Sequence, residues 1–207
     1  MRIIGLTGGI ACGKSTVANT LREMGVPVAD GDELSRRLTA PDGPALPDIR
    51  EAFGDGVFFP DGTLDRKALG SMVFSDRTAL AALDRLMEPH LLRIIRDELD
   101  TFAASGAALC VMDMPLLYER GLDAWCRRVW CVTVPQEVQI TRLRERDGLN
   151  REEALGRIGS QMPTEEKAAR ADVVIDTDRP MEGTRLDVLR LWQEEVRLAA
   201  EEGAHGA

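Results

Sequence analysis

With 207 residues, 44% hydrophobic and 29% charged, the chain has ordinary globular composition and enough length for one core carrying an inserted subdomain. Its formal charge is −9, from 26 basic against 35 acidic residues, which excludes a general electrostatic attraction to nucleic acid or to an anionic membrane. Any phosphate must therefore be held by a local site. No run reaches the ~18 apolar residues of a membrane span, and the opening Met1 to Leu6 turns glycine-rich too early for a signal peptide. Cys12, Cys110, Cys126 and Cys131 form no Cys-x-x-Cys pair, and only His90 and His205 could join them, which argues against zinc. A reduced, cytoplasmic setting is expected, with the chain a monomer or a small homo-oligomer.

In chain order, Arg2 to Leu6 reads as a short apolar strand, followed by a glycine-rich turn and a helix over about Lys14 to Met24. Val26 to Ala29 is a second apolar run, ended by the acidic turn Asp30-Gly31-Asp32 before a helix over Glu33 to Leu38. From Thr39 to Gly106 turn clusters separate helical segments, with no strand among them. The longest of these helices is expected over Asp76 to Ala104, kinked or broken near Pro89, where proline removes a donor and crowds the preceding turn. Strands return at Leu109 to Met112, Arg128 to Val134 and Val173 to Ile175, with helices at Glu137 to Arg146 and Met181 to Ala200. Strands spaced by helices predict an α/β protein with a parallel sheet. The expected division is a core of residues 1–38 and 107–200, a helical insertion at 39–106, a charged lid over 147–171 and a flexible tail at 201–207.

The chemistry starts with Gly8-Gly9-Ile10-Ala11-Cys12-Gly13-Lys14-Ser15, which satisfies G-x-x-x-x-G-K-[ST] between a predicted strand and a helix. Glycines let the backbone curl so that the N–H groups of Gly9 through Thr16 point at phosphate oxygens, and the helix N-terminus adds partial positive charge. Lys14 reaches the terminal phosphates and Ser15 ligates magnesium. ATP and Mg2+ are thus the implied co-substrate and metal. Cys12 is read as a tolerated small side chain, since no histidine accompanies it to activate the thiol.

Transfer to a hydroxyl needs a carboxylate that orients the acceptor and takes its proton, and Asp32, beyond the second strand, is the candidate; the competing reading is that Asp30 or Asp32 only caps the following helix. Asp113 ends the run Leu109 to Met112 and suits a magnesium-holding carboxylate, direct or through water. Arg142 and Arg146 share one helix face, where guanidinium groups would stack on adenine or neutralise charge developing on the γ-phosphate. Trp125, Trp130 and Trp192 are assigned to the core or an interface, and His90 to a helix surface. A nucleotide-dependent switch is the competing class, against which the chain has no Asn-Lys-x-Asp guanine motif.

Four separated motifs, taken together, are more specific than the phosphate loop. They are Leu6-Thr7-Gly8-Gly9-Ile10, Asp30-Gly31-Asp32-Glu33-Leu34-Ser35-Arg36, Asp113-Met114-Pro115-Leu116-Leu117-Tyr118-Glu119 and Ala171-Asp172-Val173-Val174-Ile175-Asp176. Through them the chain resembles the dephospho-CoA kinases up to about Ala200. The resemblance implies transfer of the ATP γ-phosphate to the ribose 3′-hydroxyl of dephospho-CoA. It implies a P-loop three-layer fold with a five-stranded parallel core sheet, a helical CoA-binding insertion and a lid. Asp32 would be the base, Lys14 the phosphate binder and Ser15 a magnesium ligand, with Arg36 toward the acceptor and Pro115, Leu116 and Leu117 lining its pocket. The chain departs from the family pattern at Ala11 and Cys12 (usually Gly-Ser), at Glu88 (a histidine before proline) and at Thr177 (commonly Asn).

Overall fold

A computed structural model describes residues 1–205. The apolar runs become five parallel strands, β1 (Arg2–Gly8), β2 (Val28–Asp30), β3 (Leu109–Asp113), β4 (Arg128–Thr133) and β5 (Val173–Asp176), in the order β2-β3-β1-β4-β5. These runs are continuous rather than alternating because helices cover both faces of a parallel sheet, and all five residues of β3 are buried. Crossovers leave β1 toward one edge of the sheet and β4 toward the other. That reversal opens a crevice at the carboxyl ends, where the sequence places its phosphate loop.

The helices of this part are α1 (Lys14–Glu23), α6 (Gln136–Asp147), α7 (Arg151–Ile158), α8 (Thr164–Arg170) and α9 (Met181–His205), with α2 to α5 in the helical segment below. Alternate sheet residues Ile4, Leu6, Leu109, Val111, Trp130 and Val132 pack with Val17, Ala18 and Leu21 of α1 and Val188 and Trp192 of α9. Full burial of one such side chain, Leu6 for example, contributes about 2 kcal/mol. Trp130 and Trp192 meet edge to face, with ring centroids 6.4 Å apart, so both tryptophans serve the core. Helix α8 packs against β1 and β4. Asn150 and Glu153 form a capping box at the start of α7, each side chain accepting from the other residue's backbone N–H.

The chain forms two compact units. One comprises Met1–Asp30 and the chain from Phe102 onward; the other is Gly31–Thr101. The second unit therefore starts at Gly31 and ends at Thr101, where the sequence suggested 39–106. The whole of α2 (Gly31–Leu38) belongs to it, because Arg37 of α2 pairs with Glu98 of α5 (Arg77–Ala104) at 3.0 Å. It also contains α3 (Leu46–Phe53) and α4 (Arg66–Ser75), the latter capped by the Asp65 carboxylate, which accepts from the N–H groups of Lys67 and Ala68. His90 is 2.6 Å from Asp48, joining α5 to α3.

Helix α5 runs through Pro89 without the expected break. Proline removes one donor from a helix of 28 residues, and the remaining ladder carries the axis past it. Of the predicted flexible tail, residues 201–205 continue α9 and residues 206–207 lie outside the described residues. Among the described residues no helix is long and apolar enough to cross a membrane.

Candidate active site

The phosphate loop joins β1 to α1, and two residues in it take left-handed backbone. Gly13, the residue before α1, has φ +82°, which glycine adopts freely, whereas Ala11 at φ +61° bears a strain of about 1–2 kcal/mol. The turn closes on itself by Cys12 N–H to Gly9 O at 3.2 Å and Thr16 N–H to Gly13 O at 3.0 Å. A β-carbon on Gly9 would come within 2.2 Å of Thr164 Oγ1 and 2.7 Å of Gln139 Nε2, so the loop lies directly on α6 and α8. Ser15, on the first turn of α1, is exposed.

Lys14 opens α1, and its ammonium donates to Asp113 Oδ1. Asp113 ends β3, opposite Leu6 of β1 and Asp30 of β2, so the two sequence-predicted residues meet where neighbouring strands exit. The Asp113 side chain is 3% exposed. Burial pushes its carboxyl pKa up, opposed by the charge and hydrogen bond of Lys14, and Asp30 adds a further upward push. Asp30 itself is held at 2.7 Å by Arg22 of α1, a structural pairing. A hydroxyl at Ser15 and a carboxylate at Asp113 would offer hard-oxygen donors. Mg2+ suits them, since that ion takes one or two protein oxygens and completes its shell with phosphate and water.

Four polar side chains hold this loop from outside, of which the sequence had singled out only Thr177, as a departure from the family pattern. Gln161 Oε1 accepts from Ile10 N–H at 3.1 Å, and Gln139 Nε2 donates to Ile10 O at 2.8 Å and approaches Cys12 Sγ at 3.3 Å. Thr164 Oγ1 lies 4.0 Å from the same sulfur, and Thr177 Oγ1 donates to Cys12 O at 2.7 Å. Cys12 is thus 1% exposed, and burial raises its pKa against the lowering influence of Thr164 and the nearby backbone. Gln139 carried a faint signal, an amide beside Ile140 on a helix face that is otherwise apolar inward; Gln161 and Thr164 carried none.

The two sequence-predicted arginines of α6, Arg142 and Arg146, diverge. Arg142 bridges the loop to the exit of β5, donating to Ala11 O at 3.2 Å, to Thr177 Oγ1 at 3.2 Å and to Thr177 O at 2.9 Å. Arg146 forms a two-pronged pair with Asp147 at 2.8 and 2.9 Å on the exposed side of the helix, and Arg157 of α7 reaches the same carboxylate. On the turn after β3, Pro115 and Leu116 are half-buried, while Leu117 is 0% exposed and packs over Gly5. A fully buried Leu117 shapes the sheet face, and the exposed edge of the turn falls to its two predecessors. In the helical unit, Asp32 stands on the first turn of α2 and Arg36 one turn later, both exposed.

Comparison with known proteins identifies the family. The model of the family "CoaE: Dephospho-CoA kinase" matches residues 2–182. A dephospho-CoA kinase of Anaeromyxobacter dehalogenans is 49% identical over 176 residues, covering 85% of this chain and 83% of the relative. One from Carboxydothermus hydrogenoformans is 42% identical over 191 residues, 92% and 93% of the two chains. The solved dephospho-CoA kinase from Campylobacter jejuni superposes with a TM-score of 0.73 at 25% identity, over 94% of this chain and 97% of the other. Phosphate loop, Lys14–Asp113 junction and strand order thus sit in a chain matched along most of its length, and the protein belongs to the dephospho-CoA kinase family.

Proposed function

We propose that this chain transfers the γ-phosphoryl group of ATP to the ribose 3′-hydroxyl of dephospho-CoA, giving CoA and ADP, the last step of CoA synthesis. The observation that carries the reading is the convergence of Lys14 and Asp113 at the exits of β1 and β3, inside a chain of this family. With little covalent work for the protein to do in phosphoryl transfer, positioning and charge are what the site must supply. Backbone N–H groups of the loop, with those of Ile10, Cys12 and Thr16 turned to protein partners, cradle the phosphates through Ala11, Gly13, Lys14 and Ser15, and the Lys14 ammonium exchanges Asp113 for their negative charge. Ser15 and Asp113, directly or through water, would hold Mg2+, which would neutralise charge on the phosphate oxygens. Asp32 orients the acceptor hydroxyl and takes its proton. Arg36 meets the acceptor, and Pro115 and Leu116 line its pocket with Leu117 buried behind them. Arg142 keeps the loop against the β5 exit beside the adenine, Arg146 turns toward the developing charge, and the segment 147–171 acts as a lid. ATP and dephospho-CoA are then its partners, in the cytoplasm.

Competition between acceptors tests this. With γ-labelled ATP, label is expected in CoA, with little in products from AMP, adenosine or shikimate, and chelation of Mg2+ should stop the transfer. Equal labelling of another alcohol would contradict the assignment.

A further inference from the structure

Helix α8 carries a lysine with no exposure at all. Lys167 is 0% exposed, and its ammonium donates to Pro115 O at 2.6 Å and to Glu119 Oε1 at 2.8 Å. Burying an ammonium costs several kcal/mol, and an ion pair of this kind often stabilises a protein no better than an apolar pair of the same volume. Stability alone is therefore a weak account of Lys167, and what its ammonium holds in place is informative.

The Pro115 carbonyl has a second donor, Thr7 Oγ1 at 3.2 Å, from the residue just before the phosphate-loop glycines. Pro115 lies two residues beyond Asp113, and the Met114 N–H donates to Leu6 O at 2.9 Å. Glu119, at the far end of the same turn, accepts from the Met162 N–H at 3.1 Å. Burial pushes the Glu119 pKa up, yet hydrogen bonds from Lys167 and the backbone, with the lysine's charge, outweigh it and leave the group below its usual range. Thr164 and Lys167, three residues apart, share one face of α8: Thr164 lies against Cys12 of the loop, and Lys167 holds the turn after β3. The segment 161–167 therefore spans both walls of the crevice.

We propose that Lys167 is a positioning residue for phosphoryl transfer, whose buried ammonium sets the spacing between the phosphate loop and the Asp113–Glu119 turn. Through that spacing it aligns the groups around the transferred phosphate without touching them. The proposal rests on the kinase reading above. A misplacement of about 1 Å at such a site costs on the order of 10²-fold in rate.

Three variants of the full chain test it: Lys167→Met, Glu119→Gln, and the two combined. Lys167→Met should lose stability by cutting the tie to Pro115 and leaving Glu119, whose side chain is 24% exposed, without its partner, and the double variant, with both charges gone, should regain the part due to that charge. In both, kcat should stay on the order of 10²-fold low, with the calorimetric Kd for ATP near that of the parent. Glu119→Gln, which leaves the lysine on Pro115, should keep near-parental kcat. In the double variant the amides of Arg120, Gly121 and Leu122, bonded to the carbonyls of Leu116, Tyr118 and Leu117, should exchange about tenfold faster. A double variant that recovers kcat together with its melting temperature would make the pair merely structural and overturn the proposal. So would parental kcat in Lys167→Met or parental amide exchange in the double variant. If the parent chain makes no CoA, the acceptor assignment fails, and amide exchange still decides the role of Lys167.

Discussion

Cys12 occupies the phosphate loop at the place where a helix N-terminus ordinarily acidifies a thiol, and here burial works against that effect. Burial beneath Gln139 and Thr164 raises its pKa. The other thiols follow: burial pushes Cys110 up to about 11 and Cys126 and Cys131 up to about 12. At pH 8 a pKa of about 11 leaves on the order of 10⁻³ of a thiol as the reactive thiolate. Native protein should consequently be alkylated by iodoacetamide far more slowly than urea-unfolded protein; equal rates, followed by intact mass, would contradict the buried loop. These thiols favour the folded state fully below their unfolded pKa of about 8.5, and that contribution is lost as pH rises toward the folded values. The loop motif, Lys14, Ser15 and Asp113 were legible in the sequence because their chemistry is contiguous or ends a strand. Gln161 was not: it meets Ile10 across 151 residues of chain, and no local pattern records such a contact.

Among the elements, β1, β4 and α9 are tied at the sheet end opposite the phosphate loop. Glu195 of α9 is 0% exposed and accepts from Arg2 at 3.2 Å, Arg128 at 2.9 Å and Trp130 Nε1 at 3.2 Å. Removing one partner from such a buried network leaves uncompensated charge. Glu195→Ala should therefore lower stability by about 3–5 kcal/mol in urea unfolding, with kcat at low temperature nearly unchanged. A stable variant would contradict the network, and a large loss of kcat would contradict its separation from the chemistry. The strands were readable from apolar runs alone, within a residue or two at each end. Helix α5 was readable in extent but not in its passage through Pro89, since proline's local cost was weighed without the turns on either side. In the charged stretch 147–171, Asn150 and Glu153 held the capping signature that starts α7. The burial of Lys167 was invisible there, because a lysine in a charged segment reads as solvated until the fold covers it.

At the scale of the whole molecule, a parallel sheet gathers its strand exits on one edge, and the order β2-β3-β1-β4-β5 places the phosphate loop and Asp113 on neighbouring strands there. The chain then spends residues 31–101 on a separate helical unit before returning as β3. A net charge of −9 gives no broad attraction for an anionic substrate, so phosphate affinity must come from the loop's backbone donors and Lys14. The measurement that bears most directly on the function is a timed reaction of the purified protein with ATP, Mg2+ and dephospho-CoA. CoA and ADP are followed together by chromatography beside a control without acceptor. The account predicts equal amounts of both products, little ADP in the control, and turnover lowered by on the order of 10²–10⁴-fold in Asp32→Asn with ATP binding retained. ADP without CoA, or an Asp32→Asn variant with full turnover, would contradict it.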